Sequence, residues 1–297
     1  MAAWGNDGVG FGLIVPQGWR LDLAHIADPV EQFEHAVRTA QAAERLGFDS
    51  IWLYDHLQTR AGEPESTFEC WTTLAALARE TSRVRLGQLV TCTAYRNPAL
   101  LAKMATTLHV ASHGRLVLGL GAGWDDREYA AYGYGDALPP VGERLRRLGE
   151  AAGVVRAMWS DGAGATFEGD VYRVRGAQNL PRPVQRPHPP LLIGGAGERV
   201  LLRIVAEHAD VCNLTDSFDP AFYRHKLAVL RRHCDDLGRD FDSIVRTASF
   251  TVGADAGPEL FRPLVEAGIS YFVVYVDPAG DGAALERFAA EVLAAFA

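Results

Sequence analysis

The chain has 297 residues, 48% of them hydrophobic and 22% charged, values that exclude a disordered or low-complexity polypeptide. A formal net charge of −8 removes any general attraction to nucleic acid or to an anionic membrane, so a bound phosphate must be held by local amides and a few arginines. Four separated cysteines, Cys70, Cys92, Cys212 and Cys234, offer no C-x-x-C pair and argue against a disulfide scaffold or a zinc knuckle.

The opening MAAWGNDGVGFGLIVP lacks a basic start and a long apolar run, and no stretch reaches the roughly 18 apolar residues of a membrane span. A cytoplasmic location is expected. From residue 9 onward short apolar runs alternate with longer amphipathic ones, the pattern of βα units around a parallel sheet. The predicted strands are 9–15, 50–54, 84–90, 115–119, 190–193, 210–214, 245–252 and 271–276. Most are continuously apolar, as strands covered on both faces are. Helix starts are marked by Asp28-Pro29-x-Glu31, by a capping box Ser66-x-x-Glu69, and by Asn97-Pro98 and Asp219-Pro220. Gly47, Gly114, Gly238 and Gly268 follow the last periodic residue of a helix and predict its end. Eight such units predict an α/β fold, a (β/α)8 TIM barrel forming a single domain over residues 1–297. The alternation breaks at about 160–189, where a hairpin-like stretch runs into a proline-rich tract, so an insertion is expected there, before strand five.

Catalytic loops of such barrels follow the strands, which singles out three places. Asp55-His56 comes directly after SIWLY; a histidine exchanges protons near neutral pH, and an adjacent carboxylate can hold its orientation. Ser66 is read as the cap of the next helix, leaving Asp55 and His56 free for chemistry. Gly119 to Asp126 (GLGAGWDD) follows the fourth strand, where glycines let a backbone approach a ligand. The same spacing opens the nucleotide loop of class I methyltransferases, but there it accompanies the first strand. Gly194, Gly195, Ala196 and Gly197 follow strand five and can offer unpaired N–H groups to an anion. His109 and His113 have the i, i+4 spacing of a metal pair, but no acid lies between them as in H-E-x-x-H, so no metal is expected. Trp19, Trp71 and Trp124 could line a pocket, whereas Trp52 and Trp159 read as packing.

Taken in order, GFDSIWLYDHL, the run from FECWTTLAALA through TCTAYRNPALL to GRLVLGLGAGW, and PLLIGGAGERVLLRIVAEHAD resemble the luciferase-like monooxygenase superfamily. The Asp55-His56 pair with GAGW is most similar to the branch that uses the deazaflavin coenzyme F420. The resemblance implies a hydride-transferring oxidoreductase with F420 across the barrel mouth, a small-molecule substrate, and His56 as general acid or base with Asp55 at the cofactor head. It implies a bulge with a non-proline cis peptide among Leu89, Val90 and Thr91, a ribityl contact at Gly121, Ala122 and Gly123, and a phosphate loop at Gly194, Gly195, Ala196 and Gly197. The alternative it leaves is an FMNH2-dependent monooxygenase fed by a separate reductase; a homodimer is the assembly expected in either case. A non-catalytic member would have lost Asp55-His56 or the glycine loops, and both are present.

Overall fold

The computed structural model describes residues 8–160, 162, 164–215, 217–278 and 280–297. The first seven residues of the predicted cytoplasmic start, and positions 161 and 163 of the predicted insertion, lie outside the described residues. The strands in chain order are β1 (Gly10–Ile14), β2 (Ser50–Leu53), β3 (Arg85–Gln88), β4 (Thr91–Cys92), β5 (Leu116–Gly121), β6 (Ala165–Glu168), β7 (Arg173–Ala177), β8 (Leu191–Gly194), β9 (Val211–Thr215), β10 (Val245–Gly253) and β11 (Tyr271–Asp277). The helices are α1 (Pro29–Leu46), α2 (Cys70–Glu80), α3 (Pro98–Ala111), α4 (Asp126–Ala131), α5 (Val141–Trp159), α6 (Leu201–His208), α7 (Pro220–Leu237), α8 (Arg262–Glu266) and α9 (Gly282–Glu291).

Eight parallel strands close into the expected barrel in the order β1, β2, β3, β5, β8, β9, β10, β11 and back to β1. The short β4 prolongs the third barrel strand beyond a break at Leu89–Val90 and pairs with the end of β5. The period of two along each strand sorts side chains between two cores. In β11, Tyr271, Val273 and Tyr275 point into the barrel, where they meet Ile14, Trp52 and Val117. Phe272, Val274 and Val276 point outward into the layer beneath the helices. Burying each such side chain contributes about 1.5–3 kcal/mol, which is why continuously apolar strands select this arrangement.

Three of the predicted caps form as the sequence suggests. Asp28, Asn97 and Asp219 each accept an N–H two residues on, at 3.0, 2.9 and 2.8 Å, with proline at the first helical position. The expected capping box at Ser66 does not. Glu69 is itself the cap of α2, accepting from Thr72 N–H at 2.6 Å, because its other oxygen is held at the helix entrance by Arg96 at 2.8 Å. Gly47 and Gly238 close α1 and α7 in the left-handed conformation. The α3 and α8 helices end earlier than expected, at Ala111 and Glu266, with Gly114 and Gly268 completing the turns beyond them.

The insertion lies outside the barrel alternation: β6 and β7 form an antiparallel hairpin. Glu150 on α5 tethers its turn by accepting from Asp170, Val171 and Tyr172 N–H. Further on, buried His109 accepts from Gln185 N–H at 3.2 Å, and burial pushes its imidazole down to about 4, which keeps the ring neutral and able to accept. His109 is therefore a tether for the insertion. Among the described residues no helix is long and apolar enough to cross a membrane.

Candidate active site

The carboxyl ends of the barrel strands open on a cavity of about 700 Å³. Leu89 and Val90, packed on the inner barrel core, form its floor; Trp19, Arg20 and His56 line it beyond β1 and β2, and Gly121, Ala122 and Gly194 at the ends of β5 and β8. The Leu89–Val90 peptide is cis. The Val90 side chain rises between two barrel strands: a Cβ on Gly121 would stand 2.4 Å from Val90 Cγ2, and one on Gly194 would stand 3.0 Å from Cγ1. Gly119 and Gly121 belong to β5 itself, not to a loop after it, so part of the glycine pattern serves floor packing.

His56, 12% exposed, is fixed on three sides. Its ring stacks on Trp19 with centroids 4.3 Å apart and planes 3° from parallel, and Trp124 meets its edge. Its Nδ1 lies 3.0 Å from Glu128 Oε2. Glu128, at the third position of α4, is wholly buried and also accepts from Tyr95 Oη at 2.7 Å, Leu57 N–H at 2.5 Å and Gln58 N–H at 3.1 Å. Burial pushes the Glu128 carboxyl up, but the bonds from His56, Tyr95 and Leu57 outweigh it and hold it below the usual carboxylate range. Burial, reinforced by Glu128, raises the Tyr95 phenol, which stays a donor. An anionic acceptor on Nδ1 fixes the proton there and leaves Nε2, which has no partner among the described residues, for the cavity.

Asp55 does not hold His56, as its adjacency suggests. Its carboxylate takes Arg96 two-pronged, at 2.6 and 2.9 Å, and accepts Cys92 N–H at 2.9 Å. Burial pushes the Asp55 carboxyl up against the pull of Arg96; for Arg96 burial is outweighed by Asp55 and Glu69, which hold the guanidinium above its ordinary value. The two-pronged contact is that of an ionised pair. Consecutive residues leaving a strand point to opposite sides, so one carboxylate braces the bulge while His56 faces the cavity.

A family model described as luciferase-like monooxygenase matches residues 11–292. The chain belongs to that family. Among curated relatives, an F420-dependent glucose-6-phosphate dehydrogenase of Tsukamurella paurometabola is 32% identical over 247 residues, 81% of this chain and 71% of the relative. One of the same description from Intrasporangium calvum is 38% identical over 172 residues, and the match spans 57% of this chain but only 49% of that relative's length. Among solved structures, an F420-dependent secondary alcohol dehydrogenase in complex with an F420-acetone adduct superposes with a TM-score of 0.82 at 19% identity, covering 96% of this chain and 98% of that one. The EDTA monooxygenase of Chelativorans sp. BNC1 superposes with a TM-score of 0.80 at 15% identity, covering 97% and 93%. These two likenesses show the fold alone.

Within this luciferase-like barrel the remaining predicted residues divide. Gly123, Gly194 and Gly195 line the cavity with Gly121 and Ala122, whereas Ala196 and Gly197 do not line it and Thr91 is buried in β4. Gly195 N–H already donates to Asn213 O at 3.0 Å, continuing the strand ladder. Among the described residues the N–H groups of Ala196, Gly197, Glu198, Arg199 and Val200 have no acceptor, so the open donors begin at Ala196, two residues after the start of the expected loop at Gly194. Gly195 has φ +135°, and a Cβ there would stand 2.6 Å from Leu201 Cδ1, so a side chain would disturb the fold as well as any ligand. Trp71 packs in the core, not in the cavity.

Glu128, Tyr95 and Arg96 were absent from the sequence-derived site. The only signal for Glu128 was Asp125-x-x-Glu128, a spacing indistinguishable from a helix cap, and Asp125 does cap Glu128 N–H at 3.1 Å. His56, Asp125 and Glu128 place ligand atoms within 4.8 Å of one another, the spacing of a cation site. Both Glu128 oxygens, however, are already occupied by four N–H and O–H groups, which a cation would have to displace.

Proposed function

We propose that the chain is an oxidoreductase that binds coenzyme F420 across the barrel mouth and moves a hydride between it and a small organic substrate, with His56 handling the proton. The observation that carries this reading is the His56 imidazole, tied through Nδ1 to a buried carboxylate and presenting Nε2 to a roofless apolar-floored cavity. The residues fit the cofactor. Val90 between glycines at 121 and 194 leaves a smooth floor for a flat ring, and the open amides from Ala196 to Val200 suit a phosphate. The descriptions of the F420-dependent relatives support the choice of cofactor.

When bound, the deazaflavin supplies a carbon that accepts or donates hydride; the protein supplies orientation and proton transfer. His56 takes a proton from the substrate at Nε2, or returns it in the reverse direction, while Nδ1–H stays on Glu128. The positive charge that this places on the ring is stabilised by Glu128 without moving either group. Stacking on Trp19 stops the ring from tilting, and Asp55 with Arg96 holds Cys92 N–H and so the bulge under the ring. Titration of purified protein with F420 and with FMN, each oxidised and reduced, tests the reading. Saturable F420 binding and hydride transfer are expected; binding of FMN alone would favour the FMNH2-dependent monooxygenase with its reductase.

A further inference from the structure

The cavity wall beside His56 carries two cations that the proton chemistry does not use. The Arg20 guanidinium lies over Tyr275 at 4.5 Å, Tyr54 at 5.4 Å and Trp19 at 5.5 Å, and donates from Nη1 to Thr251 Oγ1 at 2.9 Å. Its Nε is shielded from solvent and has no acceptor among the described residues. The exposed Arg60 lies over the Trp19 ring at 5.7 Å. Among the described residues neither forms an ion pair, and the two carboxylates that line the cavity are committed elsewhere: Asp55 to Arg96, and Asp125 to the start of α4. A chain of net charge −8 thus places two uncompensated guanidiniums on one wall of its cavity. An aromatic bed holds Arg20 in place without neutralising it, and the planar fork of a guanidinium matches a carboxylate or phosphate.

The position separates this pair from the amides suited to a cofactor phosphate. Arg20 follows β1, which stands opposite β8 in the eight-strand circuit, and the open amides of Ala196 to Val200 follow β8. Trp19, over which both arginines lie, is the ring stacked on His56. We propose that the substrate is an organic anion, a carboxylate or a phosphate monoester, whose charged end is held by Arg20 and Arg60 with its reactive carbon beside His56. The place of the reactive carbon rests on the function proposed above; the anion site does not need the cofactor.

The full chain, free of cofactor, is titrated with benzoate, phenyl phosphate and neutral benzamide by calorimetry, with tryptophan fluorescence reporting on Trp19 and Trp124. At least one anion should bind about tenfold or more tightly than benzamide, and this preference should fade with added salt. Whichever anion binds more tightly identifies the source of the charge. The preference should be lost in the Arg20→Gln, Arg60→Gln double variant and partly kept in Arg20→Lys. Arg60→Gln alone, at an exposed position, carries the test if the double variant misfolds. Benzamide binding as tightly as both anions, no anion binding at millimolar concentration, or unchanged anion affinity in a folded variant would overturn the proposal; the last places the anion at the Ala196–Val200 amides. A separate F420 titration keeps the readings apart, since failure to bind F420 with the anion preference intact removes the cofactor and leaves this site.

Discussion

Exchanging Glu128 for glutamine tests the arrangement around His56 with almost no change of volume. The carboxylate takes two donors on each oxygen, Leu57 and Gln58 N–H on Oε1 and His56 and Tyr95 on Oε2. An amide keeps one acceptor, which the two fixed backbone groups claim, and turns its NH2 toward His56 and Tyr95. Two hydrogen bonds to a charged acceptor are lost, at about 1.5–3 kcal/mol each. Because the imidazole and the phenol can turn, the loss of stability should lie near the lower end, about 3 kcal/mol in all. The larger effect is on chemistry. Facing an NH2 group, Nδ1 must become an acceptor, so the ring proton moves to Nε2 and the ring no longer accepts a proton from the cavity. Turnover should fall by about the 10²–10⁴-fold that general acid–base assistance contributes, with F420 affinity little changed. Single-turnover kinetics at saturating cofactor, with the melting temperature as control, measure both. Turnover within threefold of the parent in a folded Glu128→Gln protein would refute the role given to the pair.

His56→Ala should lower turnover by a similar 10²–10⁴-fold while F420 still titrates normally, since the glycine floor and amides are untouched; near-normal turnover would leave the ring a packing element. Asp55→Asn should act chiefly on stability, because it strands most of a buried Arg96 charge, at a cost of about 3–5 kcal/mol in chemical denaturation; a loss below 1 kcal/mol would mean that Glu69 suffices. Acid should unfold the protein in two stages. Burial holds His109 at about 4 when folded against an ordinary 6.5, so the unfolded chain binds the extra proton and stability falls as pH drops from 6.5 through about 4. Glu44, lowered from 4.5 to about 2 because Arg83, Val84 and Ser82 N–H bonds outweigh its burial, contributes stability above 4.5 that is lost on the way down to about 2. Melting temperatures against pH should show both limbs, and His109→Gln should flatten only the upper one.

The barrel was legible because its signals are local. Apolar runs and the caps at Asp28, Asn97 and Asp219 act within a few residues, and tertiary packing had nothing to override. At Ser66-x-x-Glu69 the local pattern lost to Arg96, 27 residues further on, which draws Glu69 into the cap. The candidate site was legible in its residue types but not in its wiring. Sequence adjacency suggested Asp55 as the partner of His56, whereas the strand period turns the two apart and brings in Glu128 from 72 residues away. No sequence spacing encodes that meeting, since it depends on how β2 and β5 lie in the closed circuit.

Val90 also sets a limit on how this cavity can vary. Its two methyl groups occupy the room that side chains at 121 and 194 would need, so those three positions share one volume. Deepening the pocket requires shrinking residue 90, and only then could either glycine gain a methyl group without crowding. New substrate shapes are thus more readily reached through the walls, at Trp19, Arg20 or Trp124, than through the floor, which can change only by substitutions made together.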